Sequence, residues 1–183
     1  GLMDAVTKGE LFLGLATQQT HTLLVDFENS LSVDVERFRT LNITKVKVWH
    51  NANNPPPPRI DSADYKQYLS IPPCLIVFDS LRACQSGDEN SSKDMALVME
   101  RFKELRDYGH HVVVIQHTQK ANERMFRGSM AISDQADNPL YFYPVRNTKS
   151  NEAVEDDDFD ELPFYLGTTE KTRYTHFKVY VKR

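Results

Sequence analysis

Cysteine is scarce in this chain, with only Cys74 and Cys84 among 183 residues, and their spacing fits no metal-binding pattern. A cysteine-built metal centre is therefore excluded. Cys74, at the start of an apolar run, reads as a buried reduced thiol. No apolar run approaches the length needed to span a bilayer, and no leader-like stretch precedes the first helix, so the expectation is a cytoplasmic protein without a membrane partner. Internal repeats are also missing. The net charge of −4 excludes bulk electrostatic binding of nucleic acid, although it leaves room for a local basic loop. What remains is an ordinary composition, 40% hydrophobic and 26% charged, in a chain long enough for one packed domain and too short for two.

Two short apolar runs carry most of the information. Cys74-Leu75-Ile76-Val77-Phe78 ends in Asp79-Ser80, and His111-Val112-Val113-Val114-Ile115 ends in Gln116-His117-Thr118. Runs of this kind suit strands covered on both faces, as in a parallel sheet, where ligands gather at the carboxyl ends. An Asp and a Gln-His pair at adjacent strand ends suggest a nucleotide-phosphate site. Alone, Asp79 suits the start of a turn better than a ligand site.

The rest of the pattern alternates. Leu11, Phe12, Leu15 and Ala16 predict a helix over 10–18, and 21–27 reads as a buried strand ending in Asp26-Phe27-Glu28-Asn29. A short helix over 33–41 and a marginal strand over 45–50 follow. The four prolines within 51–59 require a loop, read as a stiff connector rather than a partner motif. Ser91 and Asp94 resemble a capping box, Met95, Val98, Phe102 and Leu105 form a core stripe, and Gly109 ends that helix. Strands are expected over 140–145, 164–166 and 175–181, the last two antiparallel. The acidic run 155–158 reads as a solvated loop. Helix and strand alternation predicts an α/β fold with a mainly parallel central sheet flanked by helices and an antiparallel C-terminal edge.

Over nearly its whole length, this order of features resembles the RecA-like P-loop ATPases, particularly the branch containing RepA, DnaB and KaiC. The resemblance implies one RecA-like ATPase domain over 1–183. Val77-Phe78-Asp79-Ser80 matches the Walker B strand, which implies that Asp79 holds Mg²⁺ through water and that Asp79 and Ser80 border bound ATP. Asp26-Phe27-Glu28 matches the strand end bearing the family's catalytic glutamate, so Glu28 would activate the attacking water. Gln116-His117 matches the pair that senses the γ-phosphate. The loop from Gln119 to Arg127 would track single-stranded DNA through Lys120, Arg124 and Arg127, with Phe126 stacking on a base. A plain solvated basic loop is the alternative. Lys171-Thr172-Arg173 resembles the element that reaches a neighbour's nucleotide, implying a ring or filament of identical subunits. A hairpin turn can also carry Lys171 and Arg173.

The resemblance breaks at the P-loop, whose pattern is G-x-x-x-x-G-K-[ST]. Lys8 falls in register, but Thr7 stands where Gly is expected and Gly9 where a hydroxyl is expected. The family's first strand is also missing before it. Residues absent from the sequence, a shortened chain and a degenerate nucleotide site all account for this, and the first is preferred because the other site elements survive. Three function classes follow: a DNA-stimulated ATPase of replication, recombination or repair, most like a compact RepA-type helicase; a regulatory ATPase of KaiC type acting on proteins; and a non-catalytic RecA-like scaffold.

Overall fold

Leu75 to Asp79 is the hub of the fold. In the computed structural model, which describes residues 1–119, 122–126, 128–144, 164–168 and 178–181, its first four side chains are all buried. This strand, β3 (Leu75–Asp79), lies between β1 (Thr22–Asp26) and β4 (His111–Val114), and β2 (Lys47–His50) lies outside β1. All three pairings are parallel, giving the order β2-β1-β3-β4. The fold is thus α/β with an all-parallel four-stranded sheet flanked by helices, as a RecA-like sandwich requires. β2 takes the marginal place that its weak alternation implied.

The helices show how local signals end elements. Ser91 caps α3 (Ser92–Tyr108) by accepting the Asp94 amide at 3.3 Å, and Gly109 closes it at φ 115°. Met95, Val98, Phe102 and Leu105 are buried, as their spacing predicted. α2 (Leu31–Thr40) joins β1 to β2. A 3₁₀ segment over Ala63–Ser70, absent from the sequence reading, buries Tyr65 and Tyr68. A ladder of edge-on rings forms the core: Trp49–Tyr68, Tyr68–Phe78 and Phe78–Phe102, with centroids 5.6, 5.2 and 5.1 Å apart. It ties β2, the 3₁₀ segment, β3 and α3 into one apolar layer. Cys74 and Cys84 are buried and free, and burial pushes both thiols above their ordinary range, which suits inert packing.

The N-terminal helix is displaced from its expected position. It is α1 (Leu2–Lys8), and 10–18 is irregular, with a single bridge between Phe12 and Leu15 around Leu13 (φ 51°) and Gly14 (φ 81°). Gly9 at φ 72° stops the helix, and Thr17 Oγ1 then donates to the Glu10 carbonyl at 2.6 Å, supplying a local alternative to helix. Leu11 and Leu15 are exposed, so the four-residue apolar stripe never becomes a buried face.

The described residues fall into two compact units, the first comprising 1–117 and 127–132 and the second 118–126 and 133–183. In the second, β5 (Thr118–Gln119) and β6 (Asn122–Phe126) form an antiparallel hairpin where a loop was expected. α4 (Met130–Gln135) leads to β7 (Leu140–Pro144), which pairs with β8 (Phe164–Thr168), and β8 pairs with β9 (Lys178–Val181). The C-terminal strands are antiparallel, as predicted, and form a three-stranded sheet of their own. Among the described residues, no helix is long and apolar enough to cross a membrane.

Candidate active site at the strand ends

Parallel register decides which polar groups meet. Asp26 and Asp79 are partners across β1 and β3, and the backbone continues the alignment past both strands. The Phe27 amide donates to the Asp79 carbonyl at 2.9 Å, Ile115 to Phe78 at 3.0 Å, and Leu81 to Ile115 at 2.8 Å. Glu28, Ser80 and His117, far apart in sequence, therefore emerge together at one end of the sheet.

Glu28 is the centre of this cluster. Ser80 Oγ donates to its Oε1, and His117 Nε2 lies 3.4 Å from Oε2. The Glu28 side chain is 35% exposed and that of His117 63%, so both can meet a ligand from solvent. Gln116 precedes His117 at the same strand end. The Asp79–Ser80 peptide is cis.

Asp26 sets the aim of Glu28. It is fully buried; its Oδ1 accepts the amides of Glu28 (2.8 Å) and Asn29 (2.9 Å), and its Oδ2 accepts Asn29 Nδ2 at 2.7 Å. Burial alone would raise its pKa, but the bonds from Asn29 and Glu28 outweigh that and hold the carboxyl below its ordinary range. The sequence reading gave Asp26 no role of its own. A signal was available, because a short acid two and three residues before backbone amides closes an Asx turn.

Asp79 behaves oppositely. Burial first, then the charges of Asp26 and Glu28, push its carboxyl above the usual range, with His117 and Arg37 opposing. Its carboxylate makes no hydrogen bond to any described residue. An acid with spare oxygens, in a cluster rich in negative charge, is the donor chemistry that a hard divalent cation takes up.

Thr7, Lys8 and Gly9 occupy a different setting from the one expected. They form the C-terminal end of α1, where the helix dipole is negative and repels phosphate. Thr7 is buried, shares a 2.7 Å hydrogen bond with Thr22 and donates to the Met3 carbonyl at 2.7 Å. Lys8 pairs with Asp4 at 2.8 Å, and the Gly9 amide is turned back to Val6. Thr7 thus anchors α1 to β1, the contacts of Lys8 and Gly9 stay within α1, and the three make no phosphate cradle. Lys120, Arg127, Lys171, Arg173 and the acidic run lie outside the described residues, whereas Arg124 and Phe126 belong to the backbone of β6.

A cleft of about 260 Å³ opens beside the Asp26–Glu28 turn, lined by Phe27, Asn51, Arg59, Arg82, Gln85 and Ser86. Gln85 is 2% exposed, yet its amide has no hydrogen-bond partner among the described residues.

The family model for an AAA domain matches residues 1–123, two-thirds of the sequence. The chain belongs to this AAA domain family. Its match covers all four parallel strands and every residue of the Glu28 cluster. AAA domains are P-loop ATPase domains that bind nucleotide, and this chain carries one over residues 1–123. No curated protein matches the chain.

Proposed function

We propose that the chain is an ATP-hydrolysing, RecA-like motor domain that couples hydrolysis to single-stranded DNA in replication, recombination or repair, in the manner of a RepA-type helicase. One observation carries this reading: Glu28, Ser80 and His117 are joined by hydrogen bonds at the ends of three adjacent parallel strands, with Asp79 among them.

In this reading Glu28 takes a proton from the attacking water at Oε2, while Ser80 holds Oε1 and fixes the carboxylate plane. Asp79 would hold Mg²⁺, which would supply charge neutralisation to the phosphates when bound. His117 and Gln116 contact the transferred group and relay its loss. The cleft containing Arg59 and Arg82 favours a phosphodiester, because each guanidinium retains donors beyond its one bond to Ser86 or Gly87. Lys120, Arg124, Phe126 and Arg127 would themselves contact single-stranded DNA, and Lys171 with Arg173 would complete a neighbour's site in a ring or filament.

The test is ATP hydrolysis with and without single-stranded DNA, in the unmodified chain and in Glu28→Gln. The expected result is DNA-stimulated turnover that falls about 10²–10⁴-fold in the variant. Full activity in Glu28→Gln defeats the assignment. Turnover and nucleotide-driven assembly without a DNA response would favour a regulatory, KaiC-like ATPase. The position of Thr7, Lys8 and Gly9 at a helix C-terminus supports a second reading, a non-catalytic scaffold. Absence of turnover in both proteins would select it.

A further inference from the structure

Behind the Glu28 turn, two buried acids face each other. Asp26 is 0% exposed and Asp34, in the first turn of α2, is 4% exposed. One carboxyl oxygen of each and one ring nitrogen of His50 all lie within 4.8 Å of one another. Two carboxylates this close, out of water, oppose each other's ionisation and favour one proton between them. Asp26 has three donors directed at it and keeps the charge. Asp34 Oδ2 is buried and receives no hydrogen bond.

The surrounding cations do not resolve the conflict. Arg37, on the same helix, spends Nη1 on Asn29 Oδ1 at 3.1 Å. His50, from β2, accepts the Ala52 amide at Nδ1 (2.8 Å), which assigns the ring proton to Nε2, and Nε2 donates to the Asn29 carbonyl at 3.0 Å. Nε2 is 4.0 Å from Asp34 Oδ2, too far for a hydrogen bond. With its Nδ1 lone pair committed to Ala52, the imidazole cannot ligate a metal through Nε2 without breaking both contacts. A proton fits this cluster and a cation does not. Burial first, and then the charge of Asp26, raise the pKa of Asp34 in agreement with this geometry, while His50 and Arg37 oppose the shift.

We propose that Asp34 is a positioning residue for Glu28: as a neutral acid it donates a hydrogen bond to Asp26, whose carboxylate holds the Glu28 and Asn29 amides and so sets the aim of the Glu28 side chain. The inference rests on the catalytic reading of Glu28 for its effect on rate, but the hydrogen-bond chain itself can be tested without turnover. Asp34→Asn retains a donor of the same shape, and Asp34→Ala removes it.

Three measurements on the full chain decide the matter. Carbon-13 NMR of labelled aspartates should show the Asp34 carboxyl protonated at neutral pH, with its resonance lost in Asp34→Asn. The Glu28 and Asn29 amide resonances should move in Asp34→Ala and stay in place in Asp34→Asn. In ATP hydrolysis, Asp34→Asn should keep kcat within about threefold and Asp34→Ala should lose tenfold to a hundredfold, with KM for ATP little changed, as expected for a misaimed base. An ionised Asp34, or unmoved amides in Asp34→Ala, overturns the proposal. So does thermal stabilisation of the unmodified chain by Zn²⁺ or Mg²⁺ that vanishes in Asp34→Asn, because a metal ion would then replace the proton. If Asp34→Ala fails to fold, the carboxyl resonance and the amide shifts of Asp34→Asn still decide. If the unmodified chain shows no turnover, the ATPase reading fails and the NMR measurements alone judge the hydrogen-bond chain.

Discussion

Ser80 and Glu28 are 52 residues apart in the chain, yet the Ser80 hydroxyl is bonded to the Glu28 carboxylate across the ends of β3 and β1. A hydrogen bond to a charged group contributes about 1.5–3 kcal/mol. Glu28 is partly exposed, so the lower end applies, and 1.36 kcal/mol corresponds to about tenfold in rate. Ser80→Ala should therefore lower kcat for ATP about tenfold with KM nearly unchanged. Steady-state kinetics check this, and an unaltered kcat would show that Glu28 is oriented without Ser80.

The sequence made the centre of this site legible because β3 is covered on both faces and so reads as an unbroken apolar run, whereas β4, expected to be covered likewise, is an edge strand whose valines are only half-buried. The cap at Ser91 and the stop at Gly109 were legible for another reason, since their signals act within a few residues. Asp34 and His50 were not legible. One is a lone acid on a polar helix and the other ends a marginal strand; the β1–β2 register brings His50 to Asp26, and Asp34 arrives there on α2. The helix expected over 10–18 failed because four apolar residues fit a helical stripe by chance, whereas Gly9 and Gly14 at positive φ decide the backbone.

Lys8→Ala separates the two accounts of the N-terminal segment. Its ammonium pairs with Asp4 on an exposed helix face and meets no element of the Glu28 cluster. ATP affinity and kcat should remain at their unmodified values, as read by titration with a fluorescent nucleotide and by turnover. A loss of affinity of tenfold or more would restore Lys8 as a phosphate ligand.

Phe78 is an inner ring of the four-ring aromatic ladder and is fully buried between Tyr68 and Phe102. Phe78→Ala removes both ring contacts and leaves a cavity that the surrounding strands cannot close. The cost should be about 3–5 kcal/mol. In a urea titration the midpoint should fall with the slope unchanged. A shift below about 1 kcal/mol would mean that the ladder does not form the core.

Arg59 and Arg82 face the cleft beside the Glu28 turn. If the cleft takes a phosphodiester, replacing either with Ala should weaken single-stranded DNA binding evenly across sequences. The slope of log affinity against log salt should fall by about 1 for each arginine removed. Fluorescence anisotropy at several salt concentrations measures both quantities. An unchanged slope in the double variant would remove the cleft from the DNA path.

The acid pair also makes stability depend on pH, and the sign follows from the two opposed shifts. Asp34 has a raised pKa when folded. Its contribution is therefore complete below the ordinary carboxyl value of about 3.9 and is lost as pH rises through the folded value. Asp26 is lowered, so its contribution is present above about 3.9 and is lost as pH falls through its folded value. Asp34→Asn deletes the first dependence and keeps the second. The variant should gain on the unmodified chain as pH climbs from about 4 through the raised pKa of Asp34, and the difference should be flat above it. Chemical denaturation at closely spaced pH values traces that difference. A gap that narrows with rising pH would reverse the assignment and give Asp34 the charge.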